Sequence, residues 1–144
     1  SENASVQYAH CCRPVPGDAI LGYLGRGEGL VVHIADCPIA SRLRHKDAER
    51  FIHVEWTDEP SRPFETNVIV TVTNGKGVLA RVASAFATAE ADIIHMDMGE
   101  EAAQETTDLR FLISVRDSTH LDAVLRSLNR TPSVLRASRV RPAS

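Results

Sequence analysis

The sequence predicts an α+β protein in two units: a small α+β cysteine domain, followed by a βαββαβ unit of the ferredoxin-like arrangement. A polar stretch, Thr57-Asp58-Glu59-Pro60-Ser61-Arg62-Pro63, interrupts the apolar periodicity, and its prolines remove backbone donors and bias their neighbours to extended chain. All the cysteines (Cys11, Cys12 and Cys37) precede it. Beyond it, apolar residues repeat in the order strand, helix, strand, strand, helix, strand. The expected boundaries are residues 1–57, a linker over 58–63, and residues 64–144.

In the first unit, Ala19–Leu24 and Leu30–Ile34 are short apolar runs separated by Gly25-Arg26-Gly27-Glu28-Gly29, a β-hairpin pattern. A short helix is expected over Cys37–Glu49 and a closing strand over Phe51–Trp56. Such a unit is below the size at which a core alone gives comfortable stability. In the second unit, Asn67–Thr73 alternates as a strand. Val78, Leu79, Val82, Ala83 and Phe86 recur at helical spacing up to about Glu90. Ile93, Ile94, Met96 and Met98 begin a second strand, with Met96 and Met98 on one partly buried face, and Gly99–Glu105 is an acidic turn. Leu109, Phe111, Ile113 and Val115 mark a third strand with one wetter face. Thr119-His120-Leu121-Asp122 has the form of a capping box, Leu121, Val124, Leu125 and Leu128 form a buried stripe, and Val134–Val140 is the last strand.

At 144 residues and 43% hydrophobic, the chain can bury one moderate core or two small ones. A net charge of −3 gives no support to a strongly basic nucleic-acid binder. Three cysteines, two of them adjacent, fit a reducing compartment better than a disulfide framework. No apolar run reaches the roughly 18 residues of a membrane span, and no signal peptide is recognisable, so a cytoplasmic location is expected. Ser1-Glu2-Asn3-Ala4 reads as a vector-derived remnant, and the chain as a piece excised from a larger protein.

Cys11-Cys12-Arg13-Pro14-Val15-Pro16-Gly17-Asp18, answered by His33-Ile34-Ala35-Asp36-Cys37, brings thiols, an imidazole and a carboxylate to one hairpin. Cys11, Cys12, His33 and Cys37 are a proper zinc ligand set, and a closed tetrahedral site would suit so small a domain. Adjacent residues on extended chain point to opposite faces, so Cys11 and Cys12 chelate together only where the backbone turns sharply. His33 and Cys37 meet only if the helix starts between them. The familiar Cys-x₂-Cys knuckle is absent, and the alternative is that one or two thiols are simply buried as small apolar groups.

This pattern, continued through Gly22-Tyr23-Leu24-Gly25-Arg26-Gly27-Glu28-Gly29-Leu30-Val31-Val32-His33, resembles the cysteine-containing (zinc-finger-type) domain of RelA/SpoT proteins over residues 6–57. Those enzymes make or hydrolyse the alarmone (p)ppGpp. Asn74-Gly75-Lys76-Gly77-Val78-Leu79 and Ala91-Asp92-Ile93-Ile94-His95-Met96 together resemble an ACT domain over residues 64–141. The resemblance implies a C-terminal regulatory fragment, with synthetase and hydrolase sites upstream. It implies docking to the ribosome, with rRNA and uncharged tRNA as partners, through a patch of Cys11, Cys12, Arg13, Asp36 and Cys37 with Arg26 at the hairpin tip. It also implies an amino acid, branched-chain ones included, near Asn74–Leu79 and a homodimer through the ACT domain, acting on the parent's catalytic domains.

The glycine loops carry less. Gly25-x-Gly27-x-Gly29 opens no helix, and Val32 stands where a dinucleotide fingerprint needs its third glycine. Gly75-Lys76-Gly77 does open a helix but lacks P-loop spacing; its N–H groups form a seat for a small carboxylate, or the loop is a plain strand-to-helix turn. The histidines at 10, 33, 45, 53, 95 and 120 show no nucleophile–base–orienter pattern, so no catalytic site is expected. The competing functions are an amino-acid-binding ACT module of a biosynthetic enzyme, a zinc-dependent interaction module, and a free-standing hydrolase.

Overall fold

A computed structural model of the chain describes residues 5–57, 62–99 and 104–142. The supposed remnant at 1–4, positions 58–61 of the linker and positions 100–103 of the acidic turn lie outside the described residues. The chain divides into two compact units, the second being Arg62–Val140.

In the first unit, β2 (Ile20–Leu24) and β3 (Leu30–Ile34) pair antiparallel, from Ile20 opposite Ile34 to Leu24 opposite Leu30. β1 (Val6–Tyr8) lies parallel to β3, with Val6 opposite Leu30. Three residues are too few to show alternation, so the sequence does not announce this strand. α1 (Pro38–Lys46) follows, and a 3₁₀ turn (Ala48–Arg50) replaces the end of the helix expected to reach Glu49. The expected strand Phe51–Trp56 shrinks to β4 (Phe51–Ile52), and the sheet order is β1-β3-β2-β4. The shortening has a visible cause: the Trp56 Nε1 donates to the Asp18 carbonyl at 3.0 Å, and its ring stacks on Tyr8 at 5.8 Å. That draws residues 53–56 over one sheet face. Gly22 permits it, because a Cβ there would lie 2.7 Å from Val54 Cγ1. Ala9, Cys12, Ile34, Cys37 and Ala40 form a buried cluster, with Ile39 and Phe51 packed against it.

The second unit runs β5 (Phe64–Thr73), α2 (Val78–Thr88), β6 (Asp92–Met98), β7 (Thr106–Val115), α3 (Ser118–Asn129), β8 (Val134–Arg139). The sheet order is β6-β7-β5-β8, antiparallel throughout, which is the ferredoxin-like arrangement. Val68, Val70 and Val72 of β5 and Leu109, Phe111, Ile113 and Val115 of β7 are buried, as are Val82, Phe86, Leu121, Val124 and Leu128 from the helices. The Phe86 and Phe111 rings meet at 4.8 Å.

Several expectations are corrected. Leu79 and Ala83 are exposed, and the buried stripe of α2 is Val78, Val82, Ala85 and Phe86. Met98 is exposed and Met96 half-buried, because β6 is an edge strand that the helices leave largely uncovered. Thr119 does not cap α3. The cap is Asp117, whose Oδ1 accepts the His120 N–H at 2.8 Å. The buried His120 ring then bridges two helix ends: Nδ1 accepts from the Arg116 N–H at 2.9 Å and Nε2 faces the Ala89 carbonyl at 2.7 Å.

α2 terminates through Glu90 in the left-handed region (φ 64°), with the Ala91 N–H returning to the Phe86 carbonyl at 3.0 Å. Glycine is the residue that geometry favours. Glu90→Gly is therefore expected to raise stability by about 0.5–1 kcal/mol in urea unfolding. A loss instead would show that the exposed pair with Arg116 outweighs the backbone strain.

Candidate metal centre and ligand loop

The four predicted metal-ligating residues come together. The sulfurs of Cys11, Cys12 and Cys37 and a ring nitrogen of His33 all lie within 4.8 Å of one another. The Cys11 sulfur is 3.8 Å from that of Cys12, 3.7 Å from that of Cys37 and 3.5 Å from His33 Nδ1. The Cys12 sulfur is 3.9 Å from the same nitrogen.

Both geometric conditions set by the sequence are met. The chain turns sharply after β1: Arg13 adopts φ 49° and its N–H donates to the Ala9 carbonyl at 2.9 Å. The turn places adjacent cysteines on one side. At the other end, the Cys37 N–H donates to the Ile34 carbonyl at 3.0 Å, and α1 begins immediately after Cys37, which occupies its N-cap position. No side chain caps that helix end. Cys12 is anchored in turn by the Ile34 N–H, which donates to its sulfur at 3.3 Å.

Cys12, His33 and Cys37 are buried and Cys11 half-buried. Burial pushes the Cys12 thiol well above its ordinary value. Cys11 is raised by burial and then by its hydrogen bond to Cys37, while burial lowers His33. The site is a soft, four-donor cage. Three thiols and one imidazole within 4.8 Å of one another can hold a metal ion.

Of the predicted docking patch, Arg26 is exposed at the hairpin tip, Asp36 is exposed and Arg13 half-buried. Cys12 and Cys37 face inward, as members of the cluster.

In the second unit, the loop after β5 is braced by Asn74, whose Nδ2 donates to the Gln104 carbonyl and to Thr107 Oγ1 at 2.7 Å. Gly75 and Lys76 are exposed. Gly77 is the N-cap of α2 at φ 77°, and no side chain caps the helix. Val78 is buried and Leu79 points outward. Arg81, which the motif reading does not single out, lies beside the loop. It donates to the Lys76 carbonyl at 3.5 Å and to Ser133 Oγ at 3.0 Å, and a Cβ on Gly77 would come within 3.1 Å of it. Its spacing of four from Gly77 was the available signal, since that places it one helical turn on.

Comparison with known proteins agrees with both halves. Residues 1–57 match the family model described as the RelA/SpoT RIS domain, and residues 60–139 match that of the ACT domain. The chain is 31% identical over 141 residues to the bifunctional (p)ppGpp synthase/hydrolase SpoT of Escherichia coli, covering 98% of this chain and 20% of that protein. It is 29% identical over 132 residues to the GTP pyrophosphokinase of the same organism, covering 92% of this chain and 18% of the relative. The chain thus spans about a fifth of the length of these curated relatives. Among solved structures, the ACT domain of the Chlorobium tepidum GTP pyrophosphokinase is similar over 55% of this chain and all of its own, at 13% identity and a TM-score of 0.48.

The pKa directions predict a stability window for the metal-free protein. The raised thiols contribute stability that is present below their ordinary value of 9.0 and lost as pH rises through their folded values. The lowered His33 contributes stability present above 6.5 and lost as pH falls through its folded value. With chelator present, the urea midpoint followed by Trp56 emission is expected to hold a plateau between about pH 6.5 and 9 and to fall on both sides. A midpoint that stays level both below pH 6.5 and above pH 9 would show that the cluster is not linked to folding.

Proposed function

We propose, since this chain belongs to the ACT-domain family and carries a RelA/SpoT RIS domain ahead of its ACT domain, that it is the C-terminal regulatory segment of a cytoplasmic (p)ppGpp synthase/hydrolase of the stringent response. The observation that carries this reading is the tandem order of the two domains, matched over 98% of the chain by one protein whose name states that activity. The segment would act by binding its signal more tightly in one form of the parent enzyme than in the other, because equal affinity shifts no equilibrium.

Two surfaces support a sensing role. The uncapped start of α2, with Arg81 beside it and Gly77 keeping the approach open, suits the carboxylate of an amino acid. The edge strand β6 leaves Ile93, Ile94 and Met98 exposed, which supports a homodimer through the ACT domain. Docking to the ribosome would rest on the exposed Arg26 and Asp36 with Arg13, since the buried cysteines present little surface.

We assign the metal as zinc. A tetrahedral site with Zn–S bonds of about 2.3 Å has sulfur–sulfur edges of about 3.8 Å. The two sulfur–sulfur distances at Cys11, 3.7 and 3.8 Å, have that spacing before any ion is placed. Bound zinc would tie the turn after β1 to the end of β3 and the start of α1.

The chain is expected to take up one equivalent of zinc by mass spectrometry under native conditions, and a strong chelator should lower the thermal midpoint of the first unit. Cys37→Ser should abolish uptake; full uptake by that variant would remove the assignment. Calorimetric titration with a panel of amino acids should show saturable binding. Gly77→Asp is expected to weaken it by about tenfold, by placing a side chain and negative charge at the carboxylate seat. If no amino acid binds and the chain instead cosediments with ribosomes, the docking mode of the same regulatory reading stands.

A further inference from the structure

The same cluster holds a chemistry that metal binding does not use. The Cys11 and Cys37 sulfurs face each other at 3.7 Å across 26 residues of chain, with no bond between them. Closing that gap to the roughly 2.05 Å of a disulfide requires side-chain rotation. The Cys12 sulfur is equally near Cys11, but a bond between adjacent cysteines closes a small ring around a planar peptide and strains it. Cys12 is further held in place by the Ile34 N–H at 3.3 Å. Cys11 is the half-buried member of the three, and so the one a small reagent reaches first. His33 Nδ1 lies 3.5 Å from the Cys11 sulfur.

We propose that Cys11 and Cys37 form a two-electron redox pair, oxidised to a disulfide by a low-molecular-weight disulfide of the glutathione type. The Cys11 thiolate attacks one sulfur of the reagent, whose S–S bond breaks and releases one small thiolate. The Cys37 thiolate then attacks the Cys11 sulfur and displaces the second. The protein loses two electrons and two thiol protons, and the reagent leaves as two thiols. The product clamps the turn after β1 to the first turn of α1. It also leaves only Cys12 and His33 of the four donors, too few to close a tetrahedral site. The switch shares its residues with the zinc assignment but does not depend on it, because the bond forms without an ion.

The test treats the whole metal-free chain with excess oxidised glutathione, then alkylates it and maps its peptides by mass spectrometry. Alkylatable thiols should fall from three to one, with Cys11–Cys37 as the main linked pair, reversed by dithiothreitol. Cys12→Ser should still form the link, whereas Cys11→Ser and Cys37→Ser should not. If that first variant fails to fold, mapping of the unaltered chain decides alone. Three thiols persisting in the folded chain, or a main link through Cys12 or between molecules, would overturn the proposal. A parallel sample loaded with zinc should release the ion to a chromogenic chelator as the link forms. A chain that forms the link but never takes up zinc removes the metal assignment and leaves the redox pair. A chain that takes up zinc yet never forms the link, loaded or empty, removes the redox pair alone.

Discussion

The close approach of three sulfurs and one imidazole nitrogen organises the first unit. Its buried cluster is built of Ala9, Cys12, Ile34, Cys37 and Ala40, mostly small side chains that bury little apolar area. Small domains with so thin a core ordinarily need a staple. Here the donors come from the turn after β1, the end of β3 and the N-cap of α1, so one cluster holds three elements that packing alone secures weakly. The same thiols serve as core residues and as chemistry. Burial that makes them pack well also raises Cys11 and Cys12 and so disfavours the charged, reactive form.

The second unit is built on the opposite principle. Val68, Val70, Phe86, Ile113 and Leu128 are completely or nearly completely buried, and the long β5–β7 ladder sets every side chain on its proper face. This core needs no cross-link, so its first strand-to-helix loop is free to be shaped for recognition. Asn74 and Arg81 hold that loop by polar contacts, while Gly77 takes the left-handed conformation at the helix start. In the proposed regulatory role, a loop outside the core would let a bound signal exchange without unfolding anything.

Joined in one chain, the two units would give the proposed regulatory segment two unlike inputs. One offers soft donors that could hold a metal ion; the other presents an uncapped helix start in an exposed loop. Neither input needs a catalytic group of its own. Their effect on a larger enzyme would come from differential affinity for its forms, which is the thermodynamic requirement of any such device.

Much of the architecture was legible in the residues. The alternation of Val68, Val70 and Val72, the period of Val78, Val82 and Phe86, and the proline-bearing break after Trp56 are local signals, and each follows from strand or helix geometry. The identity of the four soft donors was legible too, because thiol and imidazole are chosen by type. Their convergence was not. It required the positive φ of Arg13 and a helix starting at Pro38, backbone conformations decided by packing around them. Likewise β1 exists only because β3 offers it an edge. The strand expected to reach Trp56 is cut short because the ring finds Tyr8 and the Asp18 carbonyl. Sequence alone determined the periods, the breaks and the chemistry of the side chains. Tertiary structure decided which of them meet, because contacts between residues distant in the chain override local preference wherever the local signal is weak.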